Sequence, residues 1–107
     1  MQFHDISVQE LKNFLDKVQE EKEVQFSITK VRALDPNKIA MVSKGDTFRG
    51  YANVYENPYG WHISVGRGLS DRLQTTAIKG VKRQSADYVW FIKTENSVYK
   101  LEMYDEA

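Results

Sequence analysis

Ser7-Val8-Gln9-Glu10-Leu11-Lys12-Asn13-Phe14-Leu15-Asp16-Lys17-Val18, followed after a short polar stretch by Val24-Gln25-Phe26-Ser27-Ile28-Thr29, is where the chain changes period. In the first part Val8, Leu11, Phe14, Leu15 and Val18 recur at helical spacing and form one apolar stripe. Ser7 and Glu10 stand at the two positions of a capping box, with Ile6 and Leu11 placed as a hydrophobic staple. Glu10, Lys12, Asp16, Lys17, Glu20 and Glu21 fill the other face, so a helix is expected over 8–22. In the second part Val24, Phe26 and Ile28 alternate with polar residues, the signature of a strand with one buried face. A helix followed by alternation is the start of an α+β chain.

Downstream, the alternation recurs between turn signals. Asp35-Pro36-Asn37 and Lys44-Gly45-Asp46 bracket a short apolar run, Ile39 to Val42. Phe48 to Tyr55 reads as a strand that changes register partway, and Gly50 inside it marks a bulge or sharp bend. Asn57-Pro58-Tyr59-Gly60 is a turn, and Trp61 to Val65 is the strand after it. Gly66-Arg67-Gly68 ends that strand, and 69–73 reads as one helical turn. Strands are expected at Thr75 to Val81, Tyr88 to Lys93 and Val98 to Met103. The last two are joined at Glu95-Asn96, where Asn tolerates positive φ. On the final strand Tyr99, Leu101 and Met103 face one way and Val98, Lys100 and Glu102 the other.

The expected architecture is therefore a single α+β domain over 1–107. Its amphipathic helix packs on a bent, mostly antiparallel sheet of six or seven strands, or on a small barrel. The length suits one core, and 41% hydrophobic with 28% charged residues is the balance of a globular chain rather than a disordered one.

Composition also removes function classes. The chain has no cysteine, which excludes disulfides, thiolate nucleophiles and cysteine-based zinc sites. No apolar run approaches the roughly 20 residues that span a bilayer. Residues 1–5 lack the basic and apolar segments of a secretion signal, and with the absent cysteines this points to the cytoplasm. Neither histidine, His4 nor His62, has a partner at metal-ligand spacing, and no serine sits in a nucleophile elbow. Gly66-Arg67-Gly68 lacks the third glycine of a dinucleotide fingerprint. No catalytic residue, metal or cofactor is assigned.

The net charge of zero is unevenly spread. Residues 1–28 carry six acids and three lysines, 29–94 eleven bases and five acids, and 95–107 four acids and one lysine. Either the acidic helix packs against the basic middle and neutralises it, or the basic middle is a binding surface. The zero balance also favours self-association, so a homo-oligomer is compatible with the composition.

Aromatics and bases interleave from Arg49 to Arg83, and two binding readings follow. The first is a non-enzymatic protein-binding module with contacts at Tyr55, Tyr59, Trp61, Arg67 and Arg72, residue types favoured at interfaces. The second is a small nucleic-acid-binding domain using Arg49, Trp61, Arg67, Arg72, Lys79, Lys82 and Arg83, since stacking and phosphate neutralisation need these side chains. A third reading, a metal-independent ribonuclease, would use His62 with Arg67 or Arg72 and an orienting Asp71 or Asp87.

The last third, Thr75-Thr76-Ala77-Ile78-Lys79 through Thr94-Glu95-Asn96-Ser97-Val98-Tyr99-Lys100-Leu101-Glu102, resembles the β-hairpin tails of small phage and mobile-element proteins. That resemblance implies an accessory protein, such as an anti-CRISPR-like inhibitor of a host defence nuclease, and assigns no functional residue. It favours the protein-partner reading, with a nucleic-acid enzyme as the partner.

Overall fold

The helix forms where its apolar stripe predicts it. In the computed structural model, which describes residues 3–34, 44–68, 71–84 and 88–104, α1 spans Val8–Glu21. The Ser7 hydroxyl accepts from the Glu10 amide at 3.0 Å, satisfying one of the free N-terminal donors. Leu11 and Leu15 are fully buried, and Ile6, Val8, Phe14 and Val18 pack against the same core.

Eight strands are present among the described residues: β1 Phe3–Ile6, β2 Gln25–Ala33, β3 Thr47–Asn57, β4 Gly60–Gly66, β5 Arg72–Gln74, β6 Ile78–Gln84, β7 Val89–Thr94 and β8 Ser97–Tyr104. They form one antiparallel sheet in the order β1-β6-β7-β8-β2-β3-β4-β5. The expected six or seven strands become eight, and β1 and β5 are edges, so the sheet is open rather than a closed barrel. Both additional strands are too short to show alternation: no strand is expected before the helix, yet residues 3–6 pair with β6 from Phe3↔Gln84 to Ile6↔Val81. Arg72 and Leu73, expected in a helical turn over 69–73, lie with Gln74 in β5 and pair with β4 instead. The expected turn at 35–37, the apolar run 39–42 and Asp87 lie outside the described residues.

Period two puts Phe26, Ile28, Trp90, Ile92, Leu101 and Val81 on the face that α1 covers, each at most 3% exposed. Packing of these side chains on Leu11 and Leu15 makes one core. The radius of gyration, 13.2 Å, is that of one domain of this length.

The bend is at Gly50. Residues Thr47 to Gly50 pair with β2, whereas Tyr51 to Asn57 pair with β4, so β3 changes partner at the glycine. Gly50 has φ +147°, and a Cβ there would run into the Gly66 carbonyl. Past the bend β3 leaves β2, and the side-chain amide of Gln19 pairs with the Ala52 backbone in its place. Gln19 Nε2 donates to the Ala52 carbonyl at 2.8 Å, and the Ala52 amide donates to Gln19 Oε1 at 2.9 Å. Two backbone groups that would otherwise be orphaned are satisfied, each worth about 1–3 kcal/mol if lost.

Thr75 was expected to open a strand; β6 instead begins at Ile78. The Thr75 hydroxyl accepts from the Ile63 amide at 3.2 Å and its own amide donates to the Ile63 carbonyl at 3.1 Å, which fastens it to β4. The β7–β8 turn needs no positive φ at Asn96, because no described non-glycine residue has one. Thr94 clamps it: its hydroxyl donates to the Ser97 carbonyl and accepts from the Ser97 amide, both at 3.2 Å.

Tyr99 lies on the covered face, 7% exposed. Burial pushes its phenol above the ordinary value of 10.0, and a hydrogen bond with Ser97 opposes the shift. With the folded value raised, the neutral phenol's contribution to stability is complete below pH ~10 and is lost as pH climbs through the folded value. Tyr99→Phe, which has no proton to lose, is therefore expected to keep its fold to higher pH in an alkaline circular-dichroism titration. An unchanged alkaline midpoint would contradict this.

Candidate functional site

The sheet has one covered face and one open face. On the open face, pairing aligns side chains in rows across strands. One row runs Asp5, Lys82, Phe91, Lys100, Thr29 and Thr47 through β1, β6, β7, β8, β2 and β3. A second runs Val89, Glu102, Ser27 and Arg49, and a third runs Lys93, Val98 and Arg32. Arg32 reaches this face because a register shift between Lys30 and Arg32 resets the alternation of β2.

Arg32, Arg49, Lys82 and Lys93 are exposed, and Phe91 and Lys100 are half-buried. Five bases face two acids, Asp5 and Glu102, giving a net charge of +3. Lys100 is bonded to Glu102 at 2.9 Å. Among the described residues, no helix or strand covers this face. The acidic residues of α1 lie on the other side of the sheet, with Glu20 and Glu21 exposed. The helix therefore does not neutralise the basic rows, contrary to the first of the two charge readings above.

Aromatics accompany the bases. Phe91 stands between Lys82 and Lys100 in register, and Phe3 from the edge strand meets it edge to face with ring centroids 5.2 Å apart. Phe3 is 42% exposed. At the bend, Arg49 and Tyr51 flank Gly50 on the open face, and Tyr51 is 57% exposed. Arg67 reaches Gln25 at 3.4 Å, and with Arg49, Thr47, Phe48 and Asp71 it lines a shallow groove there.

The residues read from the sequence are only partly gathered. For the protein-partner set, Tyr59 projects from the β3–β4 turn at 85% exposure. The Asn57 side chain accepts from its amide at 2.8 Å and shapes the turn. Tyr55 stacks on His62 nearby, centroids 5.4 Å apart. Trp61 pairs with Glu56 across the hairpin but packs against the core. Arg67 and Arg72 sit at the opposite end of β4, about 20 Å away along the strand. Arg72 donates to Ser64 there.

For the nucleic-acid set, Arg49 and Lys82 lie on the open face and Arg67 at its margin. Lys79 is exposed beside Tyr59, His62, Thr76 and Glu95 around a separate cleft. Arg83 is on the covered face, its guanidinium 5.6 Å from the Phe14 and Tyr88 centroids and 5.7 Å from that of Trp90. Adjacent strand residues point to opposite faces, so Lys82 and Arg83 cannot share one surface. The contributors missed from sequence are Arg32, Lys93, Lys100, Phe3 and Phe91. The signal was there for three of them: Phe91 and Lys93 alternate with Trp90 and Ile92, and Lys100 with Tyr99 and Leu101.

His62 is buried and both ring nitrogens are engaged. Nδ1 lies 3.0 Å from the Thr75 carbonyl and Nε2 2.9 Å from Asn57 Oδ1. These bonds tie the β3–β4 turn to the segment before β6, which is a structural use of the ring. Neither Arg67 nor Arg72 is among its bonded partners. No group of three His, Asp or Glu residues that could hold a metal occurs among the described residues. No helix among them is long and apolar enough to cross a membrane. No family model, curated protein or solved structure matches the chain.

Proposed function

We propose that this protein is a small non-enzymatic binding domain whose working surface is the open face of the sheet, and that its ligand is nucleic acid. The observation that supports this most is the in-register placement of Lys82, Phe91 and Lys100 on three adjacent strands, with Arg32, Lys93 and Arg49 around them. Phosphate neutralisation supplies affinity, and exposed rings supply contact with bases. Strand spacing of about 4.8 Å makes the face from β6 to β3 about 19 Å wide, enough for a short stretch of polynucleotide.

Three to five phosphate contacts on such a face predict affinity that falls with salt, with a log–log slope of about −2 to −4. Fluorescence anisotropy with labelled single- and double-stranded DNA and RNA, at 50 and 200 mM salt, measures it. Binding insensitive to salt, or none at tens of micromolar protein, would overturn the reading.

The exposure of Tyr59 favours a second reading: a protein partner, such as a host nucleic-acid enzyme, held at the β3–β4 turn. Tyr59→Ala separates the two, because it removes a hot-spot side chain from the tip and leaves the open face intact. Trp61 is unsuited to that test, since truncating a core-packed tryptophan costs about 3–5 kcal/mol of stability.

A further inference from the structure

The open face carries an apolar ring that the core does not use. Trp90 and Ile92, its neighbours on β7, are buried under the helix, while Phe91 points the other way. Phe91 is half-buried on the open face and belongs neither to the helix–sheet core nor to the side chains packed against it. Its cross-strand neighbours are Lys82 on one side and Lys100 on the other, each one strand spacing away. Phe3 braces it from β1, with ring centroids 5.2 Å apart at an interplanar angle of 79°, an edge-to-face contact that fixes the orientation of the ring.

We infer that Phe91, braced by Phe3, is a base-stacking platform, and that the face therefore selects single-stranded over double-stranded nucleic acid. The inference rests on the nucleic-acid reading above and deepens it. In a duplex the π-faces of the bases are occupied by their neighbours, and only phosphates and groove edges are offered to a flat surface. An unpaired base can lie on Phe91 while the phosphates on either side meet Lys82 and Lys100. Those lysines are about 10 Å apart across two strand spacings, with the ring between them. Every base has a π-face, so the selection is for strandedness rather than for sequence. Stacking and phosphate contact do not themselves distinguish ribose from deoxyribose, so RNA and DNA single strands are separate arms of the test.

The test compares Phe91→Leu with Lys82→Gln/Lys100→Gln. Leucine keeps enough bulk to support Phe3 and β1 but has no π-face, and unchanged circular dichroism verifies the fold. Anisotropy is read with a short labelled single strand of DNA, the same in RNA, and a hairpin duplex of matched composition. Phe91→Leu is expected to weaken single-strand binding about 5- to 100-fold and to leave duplex binding within twofold. The lysine pair is expected to weaken both ligands and to flatten the salt slope. If Phe91→Leu leaves single-strand affinity unchanged while the lysine variant lowers it, stacking is overturned and the electrostatic reading stands. If neither variant changes anything, both fall.

Discussion

Gly50→Ala is expected to abolish cooperative folding, or to lower the melting temperature by at least ~15 °C. The alanine would need φ near +147°, where L-residues are strained, and its Cβ would occupy the space of the Gly66 carbonyl and crowd the Arg67 amide. Both are backbone groups, Gly66 held by the β3–β4 and β4–β5 ladders and the Arg67 amide donating to the Asp71 carbonyl at 3.1 Å, so no side chain can rotate away. Relief requires opening the corner where β3 exchanges β2 for β4. Steric insertion of this kind, with strain at a special φ, belongs to the mechanisms that cost 4 kcal/mol or more. A domain has only about 5–15 kcal/mol in total, and each kilocalorie shifts the midpoint of a domain this size by about 4–8 °C. Gly45 is the control. It also has positive φ, at +94°, but no atom lies within 4 Å of its added Cβ, so alanine there meets backbone strain without a clash. A thermal melt of Gly50→Ala within a few degrees of the wild type would show that the bend does not depend on the close approach of β3 to β4.

Reversing three open-face charges, Lys82→Glu, Lys93→Glu and Lys100→Glu together, is expected to weaken nucleic-acid binding at least ~50-fold near 0.15 M salt. A single-strand slope of about −0.7 per phosphate contact corresponds to roughly fourfold per contact at that salt, and three contacts multiply. Reversal also adds repulsion, so loss of contact sets the lower bound. The substitutions spare the fold because all three side chains point away from the core, and surface changes of this sort usually stay within ~0.5 kcal/mol each. Lys100 also loses its bond to Glu102, an exposed pair worth little by itself. Undiminished affinity in the folded triple variant would remove the open face from the account.

Trp61 is a core residue by its own alternation, although its residue type also suits an interface. Trp61, Ile63 and Val65 alternate with His62 and Ser64, so the tryptophan belongs to the core-facing set of β4. Conversely, the helix, its Ser7 cap and the Gly50 bend were legible because each depends on residues close in the chain. The open face was not, because its rows are assembled by long-range pairing. Phe3 meets Phe91 only because β1 adds to the β6 edge, and Arg32 joins Lys93 only through β8 and the register shift in β2. Four residues at β1 and three at β5 are too few to show a period, and nothing local specifies which edge each extends. Lys82 and Arg83 are consecutive bases, and only the register Val81↔Ile92 reveals that one faces solvent and the other the aromatic cage.

The most direct test of the central claim is to map the ligand on the folded protein, by recording amide chemical shifts while titrating a short unlabelled single strand. Binding on the open face predicts shifts concentrated at Lys82, Phe91, Lys93 and Lys100 and their row partners on β2 and β3, with α1 silent. Shifts confined to the turn at Asn57 to Trp61, or a spectrum unchanged at saturating oligonucleotide, would contradict it.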